Sequence, residues 1–236
     1  MTTSSSTHAI DQVIQSRHSV RAFLDQPVHV NMIKEILAVA ARAPSGTNTQ
    51  PWKVYVVTEQ KRQDIVQQVC DAQKDINTHP SLSADHQETF AYYPQTWKSP
   101  YIDRRRQNGW ALYGLLDIQR GEKDKMAAQQ LRNFKFFDAP VGLFFTVDQS
   151  MGVGAKMDIA MFMQNIMLAA KARGLDTCPQ AAWNHFHSII LPLLGADEDE
   201  ELVCGMALGY ADPKAQVNQL ETPREAVEDF AHFLAK

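Results

Sequence analysis

Cysteine is scarce in this chain of 236 residues. Cys70, Cys178 and Cys204 are odd in number, far apart and without Cys-x-x-Cys spacing, which speaks against a disulfide framework or a thiolate zinc site and suits reduced thiols. Long apolar runs are missing too. The stretch Met1–Thr7 is polar, without the apolar core of a signal peptide, and no segment approaches a membrane span, so a cytoplasmic location with no membrane partner is expected. There is no basic excess: 23 basic residues face 27 acidic ones, a net charge of −4, which leaves no extended surface for nucleic acid. The dinucleotide fingerprint is incomplete. Gly152-Val-Gly154 follows a strand-like run, but Met157 stands where the third glycine belongs and Asp148–Met151 separates the strand from the turn, so a Rossmann crossover is not expected. Metal-ligand spacing is lacking as well. His185-x-His187 points two rings apart and reads as a pair of polar loop histidines, while Asp197–Glu201 has no calcium-loop pattern and reads as a solvated connection. No metal and no solenoid repeat are expected.

What is present fits one large domain spanning 1–236, with 44% hydrophobic and 21% charged residues. Ile10, Val13 and Ile14 recur at helical spacing, as do Ile33, Ile36, Leu37 and Ala40 after Asn31, a plausible N-cap. Trp52–Val57, Val141–Val147 and Leu202–Leu208 are rich in aromatic and β-branched residues and read as strands. Between the last two, Met157–Arg173 is nearly apolar all round and stops at Gly174, the pattern of a buried central helix. Helices interleaved with a few strands make a layered sandwich of α/β or α+β type. The stretch Asn77–Gly121 is broken by Pro80, Pro94 and Pro100, yet Phe90–Phe137 holds ten of the 21 aromatics. Disordered linkers are aromatic-poor, so this is no linker.

Two short segments carry the chemistry. Ser16-Arg-His-Ser-Val-Arg-Ala-Phe23 crowds two guanidiniums, an imidazole and a hydroxyl together, so Arg17, His18 and Ser19 can bind a phosphate while Arg21 aims a second charge elsewhere on the ligand. Ala43-Pro-Ser-Gly-Thr-Asn-Thr-Gln-Pro-Trp52 offers a turn of small and amide side chains just before a strand. Together they suit a flat, phosphorylated cofactor.

These residues, with Gly174-Leu-Asp-Thr-Cys-Pro-Gln-Ala181 and Gly205-Met-Ala-Leu-Gly-Tyr-Ala-Asp-Pro213, resemble the FMN-dependent nitroreductase superfamily from about Ile10 to the C-terminus, nearest to its nitrobenzoate-reducing subgroup. The resemblance implies an α+β fold, an α-β-α sandwich with a mainly antiparallel central sheet. It implies a homodimer with interfacial sites, FMN as cofactor, NADH or NADPH as donor, and a flat acceptor such as a nitroaromatic, reduced by a ping-pong mechanism. Quinone reduction, reductive dehalogenation and non-enzymatic flavin binding are the alternatives. No protein residue needs a catalytic role of its own, because hydride passes through flavin N5.

The resemblance also distributes roles. Arg17, His18, Ser19 and Arg224 would hold the phosphate, and Glu221 stands where relatives often carry a basic residue. Arg21 would face N1 and the C2 carbonyl, where negative charge gathers on reduction; otherwise it is a surface arginine paired with Asp25. Pro44, Ser45, Gly46 and Asn48 would reach the cofactor from the partner subunit. Pro179, Gln180, Ala181 and Ala182 would bring a backbone N–H to N5, and Asn133 would touch the pyrimidine edge or be an ordinary turn residue. The segment at about 77–137 would be an inserted lid. Trp110 and Tyr113 in Arg104-Arg-Arg-Gln-Asn-Gly-Trp-Ala-Leu-Tyr113 would meet the acceptor, unless they belong to the core.

Overall fold

The computed structural model describes residues 5–234. Helix α1 (Ser5–Ser16) leads into the basic segment, and α2 (Val30–Ala40) buries Ile33, Ile36 and Ala40, the residues that set its period. Its N-cap is His29 and not Asn31: the ring Nδ1 of His29 accepts the Asn31 N–H at 3.2 Å. Strand β1 (Lys53–Val57) follows the Gly46–Asn48 turn, and β2 (Val141–Asp148) and β4 (Glu200–Gly209) fall where apolar, β-branched composition predicts them. The composition does not reveal β3 (Asp176–Gln180), whose Asp and Pro are poor strand formers. All four strands pair antiparallel in the order β1-β2-β4-β3, so β3 is an edge strand, where Pro179 removes no essential ladder bond.

Period-two alternation sorts β2 onto two cores. Leu143, Phe145 and Val147 face a cluster with α2 and with α6 (Val153–Lys171), which contributes Ile159, Phe162 and Ile166. Phe144 faces a second cluster with Phe136, Trp183 and Phe186, closed by Ile65 and Val69 of α3 (Glu59–Thr78) and Ile190 of α7 (His187–Leu194). Helices thus cover both faces of the sheet. Gly142 and Gly205 make the second cluster possible, because a Cβ at either position would overlap the ring of Phe136 or Trp183.

Helix α6 is the central helix, stopped by Gly174 at φ +76°. It is buried along one face only; Val153, Met157 and Met161 on the other are exposed in the single chain. The proline-punctuated stretch is more regular than its sequence suggests. Pro100 does not interrupt a helix but precedes one, α4 (Tyr101–Leu115), and α5 (Lys123–Asn133) follows. The histidine pair is not in a loop either: His185 lies in a 3-10 turn (Ala181–Phe186) and His187 starts α7. Nor is the acidic run wholly solvated, since Glu200 is 2% exposed and opens β4. A short α8 (Val227–Phe230) ends the helical inventory, and among the described residues no helix is long and apolar enough to cross a membrane.

Candidate functional site

A cavity of about 420 Å³ opens beside the end of β3. It collects Arg21 from the segment after α1, Tyr113 from α4, Asn133 from the end of α5, and Pro179, Gln180, Ala181 and Ala182 from β3 and the turn after it. Residues far apart in sequence therefore meet at one sheet edge. Cavities of a few hundred Å³ with convergent polar groups are the usual form of a small-molecule site.

Gln180 orders one wall. It is 3% exposed, and its Nε2 donates to the backbone oxygen of Asn133 at 2.5 Å and to Asn133 Oδ1 at 2.7 Å. With Oδ1 accepting, the end of the Asn133 amide left over is its Nδ2 donor. Asn133 is the last residue of α5, not a turn residue before a strand. Gln180 Oε1, Thr177 Oγ1 and His18 Nε2 are buried without a hydrogen-bond partner. Buried polar atoms are nearly always satisfied, so Gln180 Oε1 on the cavity wall is a departure that a ligand would account for; Thr177 and His18 lie off the cavity lining, and Trp183 Nε1 and His86 Nδ1 are unpartnered as well.

The basic segment is stitched to β3. Ser19 bridges Thr177, and the Val20 N–H donates to the Thr177 carbonyl at 3.1 Å, which places Arg17, His18 and Ser19 beside the start of the strand. His18 Nδ1 lies 3.2 Å from the Ser16 carbonyl. Arg21 does not pair with Asp25: its Nη1 donates to the Ser19 carbonyl at 3.1 Å, and it lines the cavity. Two residues that sequence reasoning missed hold its backbone. Asn218 Oδ1 accepts the Arg21 N–H at 2.8 Å, and Arg132, paired with Asp138, donates to the Arg21 carbonyl at 3.4 Å. A lone loop Asn and a helix-end Arg gave no signal that could have marked them.

The other predicted residues lie elsewhere in the single chain. Pro44, Ser45, Gly46 and Asn48 form an exposed or half-exposed turn that lines no part of this cavity. Thr47 and Asn48 hold φ of 49° and 61°, costly for a β-branched residue. The turn is pinned by Ser45 Oγ, which accepts the Gln50 N–H at 2.9 Å, and by Asp158 of α6, which accepts the Gly46 N–H at 3.1 Å. Arg224 lines a separate cavity of about 400 Å³ with Arg104 of α4, and its Nη1 folds back onto Thr222. Trp110 is 57% exposed and reaches neither cavity.

Other reactive side chains are quiet. Burial pushes the Cys178 thiol up to about 11 and the Cys204 thiol up to about 12, so neither is a nucleophile at neutral pH. Among the described residues no cluster of His, Cys, Asp or Glu could hold a metal ion. Glu200 accepts from Lys53 Nζ at 2.9 Å, from the Tyr55 hydroxyl at 2.8 Å and from Thr146 Oγ1. Burial would raise its pKa, but these bonds together outweigh it and hold the carboxyl below the ordinary glutamate range.

Comparison with known proteins agrees over nearly the whole chain. The chain is 39% identical to a 4-nitrobenzoate reductase of Pseudomonas putida, covering 97% of this chain and 96% of that protein. It is 38% identical to a chloronitrobenzene nitroreductase of Comamonas testosteroni, covering 95% and 96%. Its fold superposes with a TM-score of 0.89 on the FMN and NADPH-dependent nitroreductase NfnB from sphigopyxis sp. strain HMH, at 34% identity over 96% of this chain and 99% of that one. The sequence model of the Nitroreductase family matches residues 14–210. The four-stranded sheet between helical layers is thus a scaffold shared with the superposed nitroreductase, and the chain belongs to the nitroreductase family.

Proposed function

We propose that this protein binds FMN and uses NADH or NADPH to reduce nitroaromatic acceptors in one site, donor and acceptor entering in turn. The observation that carries this reading is the cavity at the β3 edge, which unites Arg21, Tyr113, Asn133 and the Pro179–Ala182 segment from four parts of the chain. The residues fit the cofactor. Arg21 supplies a cation, Asn133 Nδ2 a donor, and the orphaned Gln180 Oε1 a polar atom that a flavin would satisfy. Ala181 and Ala182 leave a flat face uncrowded. When bound, FMN supplies the two-electron chemistry at N5; the protein orients, stabilises charge and excludes water.

Phosphate binding falls to Arg17, His18, Ser19 and Arg224, with Arg224 released from its fold onto Thr222. The segment at about 77–137 acts as the lid within a single domain, and Tyr113 is its contact with the acceptor. The assembly is a homodimer in the cytoplasm. The exposed Val153, Met157 and Met161 edge of α6 favours a partner, and so does the pinned Pro44–Asn48 turn, which does not line the β3-edge cavity of its own chain.

The test is direct. FMN-loaded protein is mixed anaerobically with excess NADPH or NADH, then with 4-nitrobenzoate, a quinone or a halotyrosine. Bleaching of flavin absorbance by a nicotinamide and its recovery with the nitro compound are expected. No bleaching by either nicotinamide would overturn the reading in favour of a flavin carrier. Arg21→Gln should make the flavin harder to reduce; losing about 1.4 kcal/mol of charge stabilisation corresponds to roughly 30 mV for a two-electron couple.

A further inference from the structure

Asn218 lies in a short 3-10 turn (Gln216–Gln219), 197 positions from Arg21, and uses all four hydrogen-bonding positions of its amide. Its Oδ1 accepts the N–H of Arg21 at 2.8 Å and of Ala22 at 3.1 Å. Its Nδ2 donates to the carbonyls of Ala22 at 2.8 Å and Asp212 at 3.0 Å. Because each partner is backbone, no other side chain has to be held for the arrangement to persist. Saturation of this kind also settles the amide orientation, since exchanging O and N would set donor against donor.

Part of this network is stitching. The segments on either side of Asn218 are already joined without it, by the Leu24 N–H to the Tyr210 carbonyl at 2.8 Å and the Asp212 N–H to the Ala22 carbonyl at 3.0 Å. The bond to the Arg21 N–H is different, because it grips the peptide on the N-terminal side of Arg21. Arg132 holds the carbonyl on the other side, and the Val20 N–H is tied to Thr177. A side chain leaves its Cα in a direction set by the two flanking peptide planes. With both planes held, the Arg21 stem is aimed into the cavity before any ligand arrives, and its guanidinium needs only to leave the Ser19 carbonyl. Preorganised charge costs no reorganisation when the reaction occurs.

We propose that Asn218 is a positioning residue for Arg21: by fixing the peptide that carries the guanidinium, it sets how strongly the site stabilises charge on the cofactor. This rests on the reading of Arg21 as the cation facing the flavin. A purely structural Asn218 would lower thermal stability and leave the redox poise alone.

The experiment is a double-mutant cycle read as midpoint potential, on the full chain loaded with FMN: wild type, Arg21→Gln, Asn218→Ala and the double variant. Thermal midpoints of the four serve as the control for stitching. Asn218→Ala is expected to make the flavin harder to reduce, in the same direction as Arg21→Gln, and to add nothing in the Arg21→Gln background. An Asn218→Ala potential equal to wild type, while Arg21→Gln is shifted, overturns the proposal and leaves the Arg21 reading intact. An equal shift with and without Arg21 also overturns it. An unchanged Arg21→Gln potential removes the Arg21 reading, and this inference with it. If the alanine variant does not fold, Asn218→Ser, which keeps a polar group in the turn but cannot reach the Arg21 N–H, is read against the same outcomes.

Discussion

Two groups of aromatic side chains meet opposite fates. Phe134, Phe136, Phe144, Trp183 and Phe186 lie beneath the sheet with at most 2% exposure, their centroids 4.5–5.5 Å apart. Tyr92, Tyr93, Tyr101 and Trp110, in and before α4, are between 53% and 62% exposed. Yet Tyr92 and Tyr93 sit 4.7 Å apart, Tyr93 and Trp97 5.4 Å, and Arg105 lies 4.8 Å over Trp97. Ring geometry is the same in both places. What differs is removal from water, which carries most of the stabilisation: the sheet, with Gly142 and Gly205 opening room, excludes solvent, whereas α4 buries no residue at all.

The contrast is easiest to break at its strongest point. Trp183→Ala should cost about 3–5 kcal/mol by denaturant unfolding, and a loss below about 1 kcal/mol would mean that the buried cluster is not the core it looks like. Gly205→Ala probes the same rings from the other side. Its new methyl would collide with the Trp183 indole, and overpacking of this kind costs about 1–3 kcal/mol, read as a lower denaturation midpoint.

Charge sharpens the comparison. Glu200→Gln weakens a buried acceptor for Lys53, Tyr55 and Thr146, with an expected cost of about 1–3 kcal/mol at neutral pH. The folded carboxyl sits below its unfolded value, so its stabilisation is fully present above the ordinary glutamate pKa of about 4.3 and is lost as pH falls through the folded pKa. Thermal midpoints of wild type and Glu200→Gln should therefore converge in acid, and parallel curves would count against the assignment. The smallest effect belongs to the exposed rings. Trp110→Ala should change stability by no more than about 0.5 kcal/mol. Tyr113→Ala, at the cavity, should alter acceptor preference more than reduction by the nicotinamide, as seen in the two half-reactions measured apart.

Legibility followed the range of the forces involved. The strands β2 and β4, the period of α2 and the stop at Gly174 came from local patterns that burial had to respect. Strand β3 did not, because an edge strand can keep Asp176 and Pro179 when its partner supplies the ladder. The helix α4 was hidden by prolines that precede it without entering it, and His29 took the cap from Asn31 two residues away. Of the site residues, Arg21, Asn133 and the Pro179–Ala182 segment were legible and do converge. Arg132 and Asn218 were not, since what they hold is backbone lying far off in sequence.

The sequence by itself determined which stretches are apolar at period two or near four, where the chain must turn, and which segments carry guanidinium, imidazole and amide groups in a pattern that resembles a flavin site. Tertiary structure alone decided that β3 would close the sheet edge, that Glu200 would be buried in an acidic run, and that the face of α6 bearing Val153, Met157 and Met161 would stay open. The reason is physical. Propensity and amphipathicity act over a few residues, whereas burial, cavity shape and the satisfaction of each polar group depend on which distant segments arrive at the same place.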